Sequence, residues 1–302
     1  MTLYEGAHAT IHACPGDNNL LIRRERIRTK DSAQKSTKAH MQMDLVKTEL
    51  VQSDHFVAVH SVRVVPDGPD HVVLETVMQR ARGVELEDFL IHHPDMQGDL
   101  EFVRRVARSL FSALAVLENH GLLHGDVSLR NVIIDRDNAD HVTLVDYEVL
   151  RPTGKLGDRE WGRSILASIP APEVEQFNRY GQASWVDDVS KSDVFSAGCM
   201  LYYILCGELP FLWSTTHDTT TPFAKTSTTC TWLDLDTMQI LRDELRLYDT
   251  PKTCIKTTLP TWWTKGKSPE NVAFFQGLMA DTLSRNPEKR CTARQIMEKY
   301  FH

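Results

Sequence analysis

The stretch His124-Gly125-Asp126-Val127-Ser128-Leu129-Arg130-Asn131, followed by Val145-Asp146-Tyr147-Glu148, decides the fold of this chain. Apolar residues at helical spacing precede it and predict a long helix that ends at Asn119-His120-Gly121. This apolar stripe consists of Phe102, Val103, Val106, Leu110, Leu114 and Leu117. The apolar runs 131–134 and 141–145, separated by a polar turn, predict a short hairpin that brings the second segment back beside the first.

Two carboxylates and an amide on adjacent loops match what a magnesium–nucleotide site needs. Asp126, Asn131 and Asp146 supply them. Mg²⁺ prefers one or two carboxylates together with phosphate oxygens, and a further carboxylate can orient an attacking hydroxyl. A single Asp or Asn in a loop more often serves turn geometry, but the joint pattern favours the metal site.

The sequence resembles the protein kinases at these positions. His124-Gly125-Asp126 with Asn131 resembles the family's catalytic loop, and Asp146-Tyr147-Glu148 stands where the family has Asp-Phe-Gly. Further family motifs follow in the family's order, namely Ala171-Pro172-Glu173, Asp193-Val194-Phe195-Ser196-Ala197-Gly198 and Asn286-Pro287-Glu288-Lys289-Arg290. Because these motifs span nearly the whole chain in the family's order, a chance match is excluded as the explanation.

The resemblance implies an α+β, bilobal protein-kinase fold made of one kinase domain. Residues 1–80 are expected to form a small β-rich N-lobe with one helix, and residues 81–302 a larger α-helical C-lobe. Alternation of apolar and polar residues before residue 80 agrees, since it predicts the order strand, strand, helix, strand, strand. The helix is predicted over residues 36–53, and one of its faces is expected to carry Met41, Leu45, Thr48 and Val51.

The resemblance also implies a role for each residue of the catalytic loop. Asp126 is expected to be the base or orienting group for the substrate hydroxyl, and Asn131 and Asp146 to hold Mg²⁺. Ser128 stands where Ser/Thr kinases usually have a lysine that touches the γ-phosphate. Arg130 is a candidate catalytic residue because it is placed to substitute for that lysine.

Other matched positions are expected to be structural. His124 and Tyr147 are assigned packing roles, and Asp193 is expected to brace the backbone of the catalytic loop. The resemblance further implies a buried ion pair between Glu173 and Arg290.

The phosphate-binding end departs from the family pattern. Aligned through Ile11, the segment that matches the glycine-rich loop keeps only Gly6. Leu20-Leu21-Ile22-Arg23 stands where the family has Val-Ala-Ile-Lys, so Arg23 occupies the lysine position or is one of several exposed cations on a strand edge. The expected nucleotide contacts are Gly6, Ile11, Leu21, Arg23 and Asp146. No residue clearly matches the helix acid that pairs with the family's lysine: Asp44 is nearest in register and Glu49 lies on another face, and neither fits the position well.

At Gly125 and Glu148, the sequence departs from the family pattern in ways that predict altered behaviour. Gly125 replaces the arginine that receives a phosphate on the activation segment, which predicts that phosphorylation there is not required. Glu148 replaces a glycine, and a residue with a Cβ limits backbone flipping at that point.

Composition excludes several function classes. The net charge of −7 over 302 residues does not favour nucleic acid, and the basic run between Arg23 and Lys30 is interpreted as a solvated strand edge. The six cysteines are scattered without a CxxC, so no zinc site is expected. The first 20 residues have no signal peptide pattern, and no apolar run is long enough to span a membrane. An intracellular protein, cytoplasmic or nuclear, is expected.

Three functions fit these residues. The favoured one is an ATP-dependent protein kinase that acts on a protein substrate, with serine or threonine as the favoured acceptor and tyrosine left open. The alternative is a pseudokinase that acts through a partner protein, and the altered phosphate-binding end favours it. A small-molecule kinase of the choline or aminoglycoside type shares the Asp126, Asn131 and Asp146 pattern but lacks the later motifs.

Overall fold

The computed structural model describes residues 2–5, 9–50, 52–135, 141–153, 171–174, 189–210 and 257–302. Its N-terminal part is rich in β-sheet and its C-terminal part is helical, which confirms the mixed α+β class that the sequence predicted. Within the described residues, no helix is both long enough and apolar enough to cross a membrane.

A five-stranded antiparallel sheet forms the N-terminal part, in the order β1-β2-β3-β5-β4. Its strands are β1 (Thr2–Glu5), β2 (Ala9–Cys14), β3 (Asp17–Arg28), β4 (Val59–Pro66) and β5 (His71–Gln79). Strand β1 is additional to the four strands that the alternation predicted. Ile11 lies directly opposite Arg23, and Leu21 shares their face of the sheet because side chains alternate along a strand.

One helix, α1 (Ser32–Leu45), packs beside β4 and continues as the π-helical turn Val46–Leu50. Its buried side is not the predicted one, because Thr48 is exposed while Gln42, Val46 and Leu50 are buried; Val51 lies outside the described residues. The prediction followed apolar residues, whereas the first half of the inward face of α1 is polar.

Helix α3 (Leu100–Asn119) is the core of the C-terminal part and follows β6 (Val84–Glu85) and α2 (Leu86–His92). Asp99 caps it, since its carboxylate accepts the N–H of Phe102 at 2.7 Å. The apolar stripe predicted from the sequence is confirmed: all six of its members are buried. This helix leads the chain into the loop that carries Asp126.

The remaining elements follow α3 in the chain. They are β7 (Leu122–Leu123), β8 (Val132–Ile134), β9 (Val142–Leu144), β10 (Arg151–Pro152), α4 (Ser192–Cys206), α5 (Thr261–Thr264), α6 (Pro269–Thr282) and α7 (Ala293–Tyr300). Helix α4 is almost wholly buried and contacts both α3 and α6. At Gly198 a Cβ would lie 2.6 Å from the Thr282 hydroxyl oxygen, so only glycine lets α4 approach α6 this closely.

Candidate functional site

The loop between β7 and β8 holds Asp126 and Asn131 side by side. The Asn131 amide nitrogen donates to the Asp126 carbonyl at 2.8 Å and to the Asp126 carboxylate at 2.9 Å. Asn131 is buried and Asp126 is half-buried. Because the amide N–H₂ is used on Asp126, the amide oxygen of Asn131 is the atom that remains as an acceptor.

Asp193, at the start of α4, fastens the backbone of this loop. Its carboxylate accepts the N–H of His124 at 2.7 Å and the N–H of Gly125 at 3.0 Å. Burial raises the pKa of Asp193, although the His124 ring and these two hydrogen bonds favour the charged form. The geometry is that of a brace on the loop backbone.

His124 links this loop to the strand that leads to Asp146. Its Nε2–H donates to the Val145 carbonyl at 3.1 Å, and its Nδ1 accepts the N–H of Asp126 at 3.3 Å. The N–H of Val145 also donates to the Asn131 carbonyl at 3.0 Å. Residues 126, 131 and 146 are therefore carried by two segments that are hydrogen-bonded to each other.

Asp146 has a strained backbone. With φ of 65°, it is the only residue other than glycine with a positive φ among those described. Its carboxylate accepts the N–H of Glu148 at 3.4 Å, and the side chain is exposed. Such strain persists where the surroundings impose it and clusters at functional sites.

Tyr147 turns away from Asp146 into the core. Its hydroxyl accepts the N–H of Val57 at 2.7 Å and donates to the Leu144 carbonyl at 3.0 Å. The ring centroid lies 6.4 Å from that of Phe56 and 6.3 Å from that of His124. Burial raises the pKa of the Tyr147 hydroxyl. This arrangement anchors the turn that carries Asp146.

Arg23 faces the Asp146 turn, so its interpretation as an exposed strand-edge cation is wrong. Its side chain is 17% exposed, and its two terminal nitrogens contact Glu25 at 3.1 Å and Glu148 at 3.3 Å. Burial opposes its charge, but Asp146, Glu148 and Glu25 together raise the pKa of Arg23. Ile11 and Leu21 lie on the same sheet face, whereas Gly6 lies outside the described residues.

The contact between β3 and α1 has an unexpected polarity. The acid is on the strand and the cation is on the helix, since the buried Glu25 pairs with Lys35. Asp44 is exposed, and Glu49 accepts a hydrogen bond from His120 at 2.8 Å. Neither of these acids contacts Arg23 in the described structure, so neither is the partner that the family's lysine would have on this helix.

Gln42 of α1 reaches the site, although the apolar spacing of the sequence did not predict it. Its amide nitrogen donates to the carbonyls of Glu148 at 2.6 Å and Leu150 at 3.3 Å. Lys38 is half-buried on the same side of the helix, and burial, followed by the charge of Arg151, lowers the pKa of Lys38. The sequence does contain a signal for this polar face, because the spacing of Lys35, Lys38 and Gln42 places them on one side of a helix.

Arg130 binds a residue outside the loop. Its Nε donates to the Glu87 carboxylate of α2 at 2.6 Å, and the Arg130 side chain remains 35% exposed. The role of Arg130 toward a substrate stays a prediction.

Glu173 and Arg290 form the ion pair that the sequence predicted, and both side chains are 0% exposed. Arg290 also donates to the carbonyls of Ser284 and Lys191. The guanidinium is thus held on several sides, which suits a structural role.

The donor set of the loop pair fits a magnesium ion. A hard cation takes oxygen ligands, and the Asn131 amide oxygen and the exposed Asp146 carboxylate are both of that type. Asp54, His55 and His141 form a second group of potential ligands outside this site. Both ring nitrogens of His55 already have partners, at the Val142 carbonyl and the Ser112 hydroxyl, so that group fits a metal poorly.

Comparisons with known proteins agree with this geometry. A family model described as protein kinase domain matches residues 5–302. Serine/threonine-protein kinase PknB of Mycolicibacterium smegmatis is 30% identical over 147 residues, which cover 49% of this chain and 22% of that protein. Maternal embryonic leucine zipper kinase of Danio rerio is 32% identical over 136 residues, covering 45% of this chain and 18% of that protein.

RAC serine/threonine-protein kinase of Drosophila melanogaster is 31% identical over 147 residues, which cover 47% of this chain and 21% of that protein. The aligned part therefore spans less than a quarter of each of these three relatives.

Proposed function

This chain belongs to the protein kinase domain family, and from that membership and the geometry of residues 124–148 we propose that it transfers the γ-phosphate of ATP to a hydroxyl of a protein, with serine or threonine as the acceptor. The hydrogen bond between Asn131 and the Asp126 carboxylate, beside the segment that carries Asp146, is the observation that supports this most directly. The site is proposed to lie in a cleft between an N-lobe of residues 1–80 and a C-lobe of residues 81–302.

Asp126 orients the substrate hydroxyl and accepts its proton. A positioned carboxylate is suited to this, and phosphoryl transfer depends mainly on positioning and charge neutralisation. Asn131 holds the Asp126 carboxylate in place through its amide nitrogen. Because Asp193 fixes the loop backbone at His124 and Gly125, Asp126 keeps its position while substrates enter and leave.

Asn131 and Asp146 hold the metal on the nucleotide side. When bound, Mg²⁺ neutralises charge on the phosphate oxygens. The left-handed backbone of Asp146 sets where its carboxylate stands, and the buried Tyr147 hydroxyl holds the turn. These residues present oxygen ligands without first having to reorganise, which favours transfer.

Arg23 binds the phosphate groups, and Ile11 and Leu21 contact the base. A guanidinium is planar and offers five donors, so it binds two phosphate oxygens at once, unlike an ammonium. Its partly buried position on β3, opposite Ile11, places it on the sheet face that is turned toward Asp146.

A second candidate is a pseudokinase that works by binding a partner protein. The observation that favours it is that two carboxylates, Glu25 and Glu148, already bind Arg23. A nucleotide phosphate must share or replace these contacts.

Nucleotide binding and phosphotransfer separate the candidates. A kinase shows a rise in melting temperature with Mg²⁺ and millimolar ATP, and it transfers radiolabelled phosphate to protein. Asp126→Asn is expected to lower the transfer rate by roughly 10²- to 10⁴-fold without loss of the thermal shift, whereas exposed Asp95→Asn matches the wild type. No thermal shift would reject the kinase and favour the pseudokinase. Transfer only to small alcohols or amines would reject a protein substrate.

A further inference from the structure

Arg23 and Glu148 join the sheet to the turn that follows Asp146. They are 125 residues apart in sequence, and the Arg23 Nη2 lies 3.3 Å from the Glu148 carboxylate. The other terminal nitrogen of Arg23 is 3.1 Å from Glu25. With one carboxylate on each terminal nitrogen, both the position and the plane of the guanidinium are defined.

The backbone of Glu148 is itself held from two sides. Gln42 of α1 donates to its carbonyl at 2.6 Å, and its N–H donates to the Asp146 carboxylate at 3.4 Å. Glu148 lies in the short helical turn Tyr147–Val149. The side chain that reaches Arg23 therefore projects from a fixed backbone.

Helix α1 turns cations, rather than an acid, toward this region. Lys35 pairs with Glu25, and Lys38 is half-buried close enough to Glu148 and Glu25 for their charges to act on it. None of the described contacts of Arg23 comes from α1. The helix reaches Arg23 only indirectly, through Glu25 and through the Gln42 contact with Glu148.

The Arg23–Glu148 pair gives Asp146 and Glu148 different roles. Asp146 and Glu148 are two residues apart, and burial together with the charge of Asp146 raises the pKa of Glu148, while Arg23 acts in the opposite direction. With Glu148 committed to Arg23, Asp146 is the acid of this turn that remains for a metal.

We propose that Glu148 is the positioning residue for Arg23, so that the turn after Asp146, and not helix α1, holds the phosphate-binding guanidinium in place. This rests on the proposed nucleotide site and adds the residue that orients its cation. Two carboxylate contacts leave further donors of the five on a guanidinium for phosphate oxygens. Holding a long side chain in its bound conformation lowers the entropy cost of binding.

A double-mutant cycle on Mg·ATP binding tests this. The dissociation constant is measured by calorimetry for the wild type, Glu148→Gln, Arg23→Gln and the double variant, and KM for ATP and kcat are measured in parallel. Asp67→Asn is the matched control, because Asp67 also pairs with an arginine and its side chain is 44% exposed against 43% for Glu148.

Glu148→Gln is expected to raise the dissociation constant and KM about 3- to 5-fold, as suits a partly exposed pair, with kcat and melting temperature near those of the control. In the Arg23→Gln background the same change is expected to have less than about a twofold effect, because coupled residues are not additive.

Equal losses in both backgrounds would overturn the proposal, as would tighter binding by Glu148→Gln, since Glu148 would then compete with the phosphate. If the wild type binds no nucleotide, the proposed function itself fails; if the wild type binds and Glu148→Gln equals the control, only the positioning role fails.

Discussion

Glu173 and Arg290 lie 117 residues apart in sequence and form a two-pronged ion pair, with nitrogen–oxygen distances of 2.5 and 3.1 Å. The guanidinium also lies over the Phe195 ring of α4, with Cζ 4.9 Å from the ring centroid. The pair therefore ties the segment around Glu173 to α4 and to the chain just before α7.

Arg290→Ala is expected to lower the free energy of unfolding by roughly 3–5 kcal/mol, because it leaves the buried Glu173 carboxylate without its partner. Urea unfolding measures this. Arg294→Ala is the control: Arg294 pairs with Glu118 at 3.4 Å but its side chain is 62% exposed, so its loss costs about 1 kcal/mol or less.

The double variant Glu173→Leu with Arg290→Met removes both charges and is expected to be more stable than Arg290→Ala alone. A single variant as stable as the Arg294→Ala control would contradict a buried structural pair.

Gly125→Ala is expected to destabilise the loop that carries Asp126. Gly125 has φ of 81°, and a Cβ there would lie 3.2 Å from the Val149 side chain. The left-handed conformation alone costs about 1–2 kcal/mol. Gly16→Ala is the control that measures the cost of the left-handed backbone alone, because Gly16 has φ of 84° and no atom lies within 4 Å of a Cβ there. Equal losses of unfolding free energy in the two variants would show that the Val149 contact is harmless.

Tyr147→Phe is expected to lower the free energy of unfolding by about 1–3 kcal/mol, because it removes the oxygen that accepts the buried N–H of Val57. Chemical denaturation measures the loss. Tyr4→Phe serves as the control, because Tyr4 is 54% exposed. It is expected to change the free energy of unfolding little. Wild-type stability in Tyr147→Phe would mean that Val57 finds another acceptor.

The stability of the β3–α1 contact is expected to depend on pH through Glu25. Burial opposes its charge, but Lys35 and Arg23 outweigh it and lower the pKa of Glu25 below the ordinary value of 4.5. An acid with a lowered pKa in the folded state stabilises the protein above the ordinary value, and this stabilisation disappears as the pH falls through the folded pKa.

Glu25→Gln is therefore expected to be less stable than the wild type at about pH 7, with the difference shrinking toward about pH 3. Urea unfolding across this range measures it, with exposed Glu298→Gln as the control. A difference between Glu25→Gln and wild type that stays constant with pH would argue against the ion pair.

Asp146→Asn is expected to remove the dependence of nucleotide binding on Mg²⁺, because the amide lacks the charge that holds the ion. A wild-type protein that binds Mg·ATP gains about 2.7 kcal/mol at a ligand concentration of 100 times Kd. Thermal unfolding with ATP, with and without Mg²⁺, measures this for the variant and for Asp54→Asn, an exposed control. A Mg²⁺-dependent shift that persists in Asp146→Asn would place the ion elsewhere.

Structural features that depend on residues close together in the chain were predictable from the sequence. Helix α3 follows from apolar spacing, and the pairing of Asp126 with Asn131 needs only a loop that turns back over five positions. The Glu173–Arg290 pair was predictable as well, although its partners are distant, because both residues lie in motifs that the family resemblance connects.

The inward face of α1 was not predictable in this way. Hydrophobic spacing selects apolar residues for burial, but Lys35 and Gln42 have polar partners on other segments. A polar residue with a distant partner looks the same in sequence as a solvated one.

The sequence by itself predicted the kinase fold, and it supplied the residues Asp126, Asn131 and Asp146 that are proposed for the metal side, because periodic spacing and ordered motifs are local properties of the chain. Only the tertiary structure decided what holds Arg23. Its partner Glu148 is 125 residues away, in a turn whose backbone accepts a hydrogen bond from Gln42 of α1. An ion pair of this kind forms only between charged groups that the fold brings within about 4 Å of each other. The spacing of residues along the chain does not show which distant segments come that close.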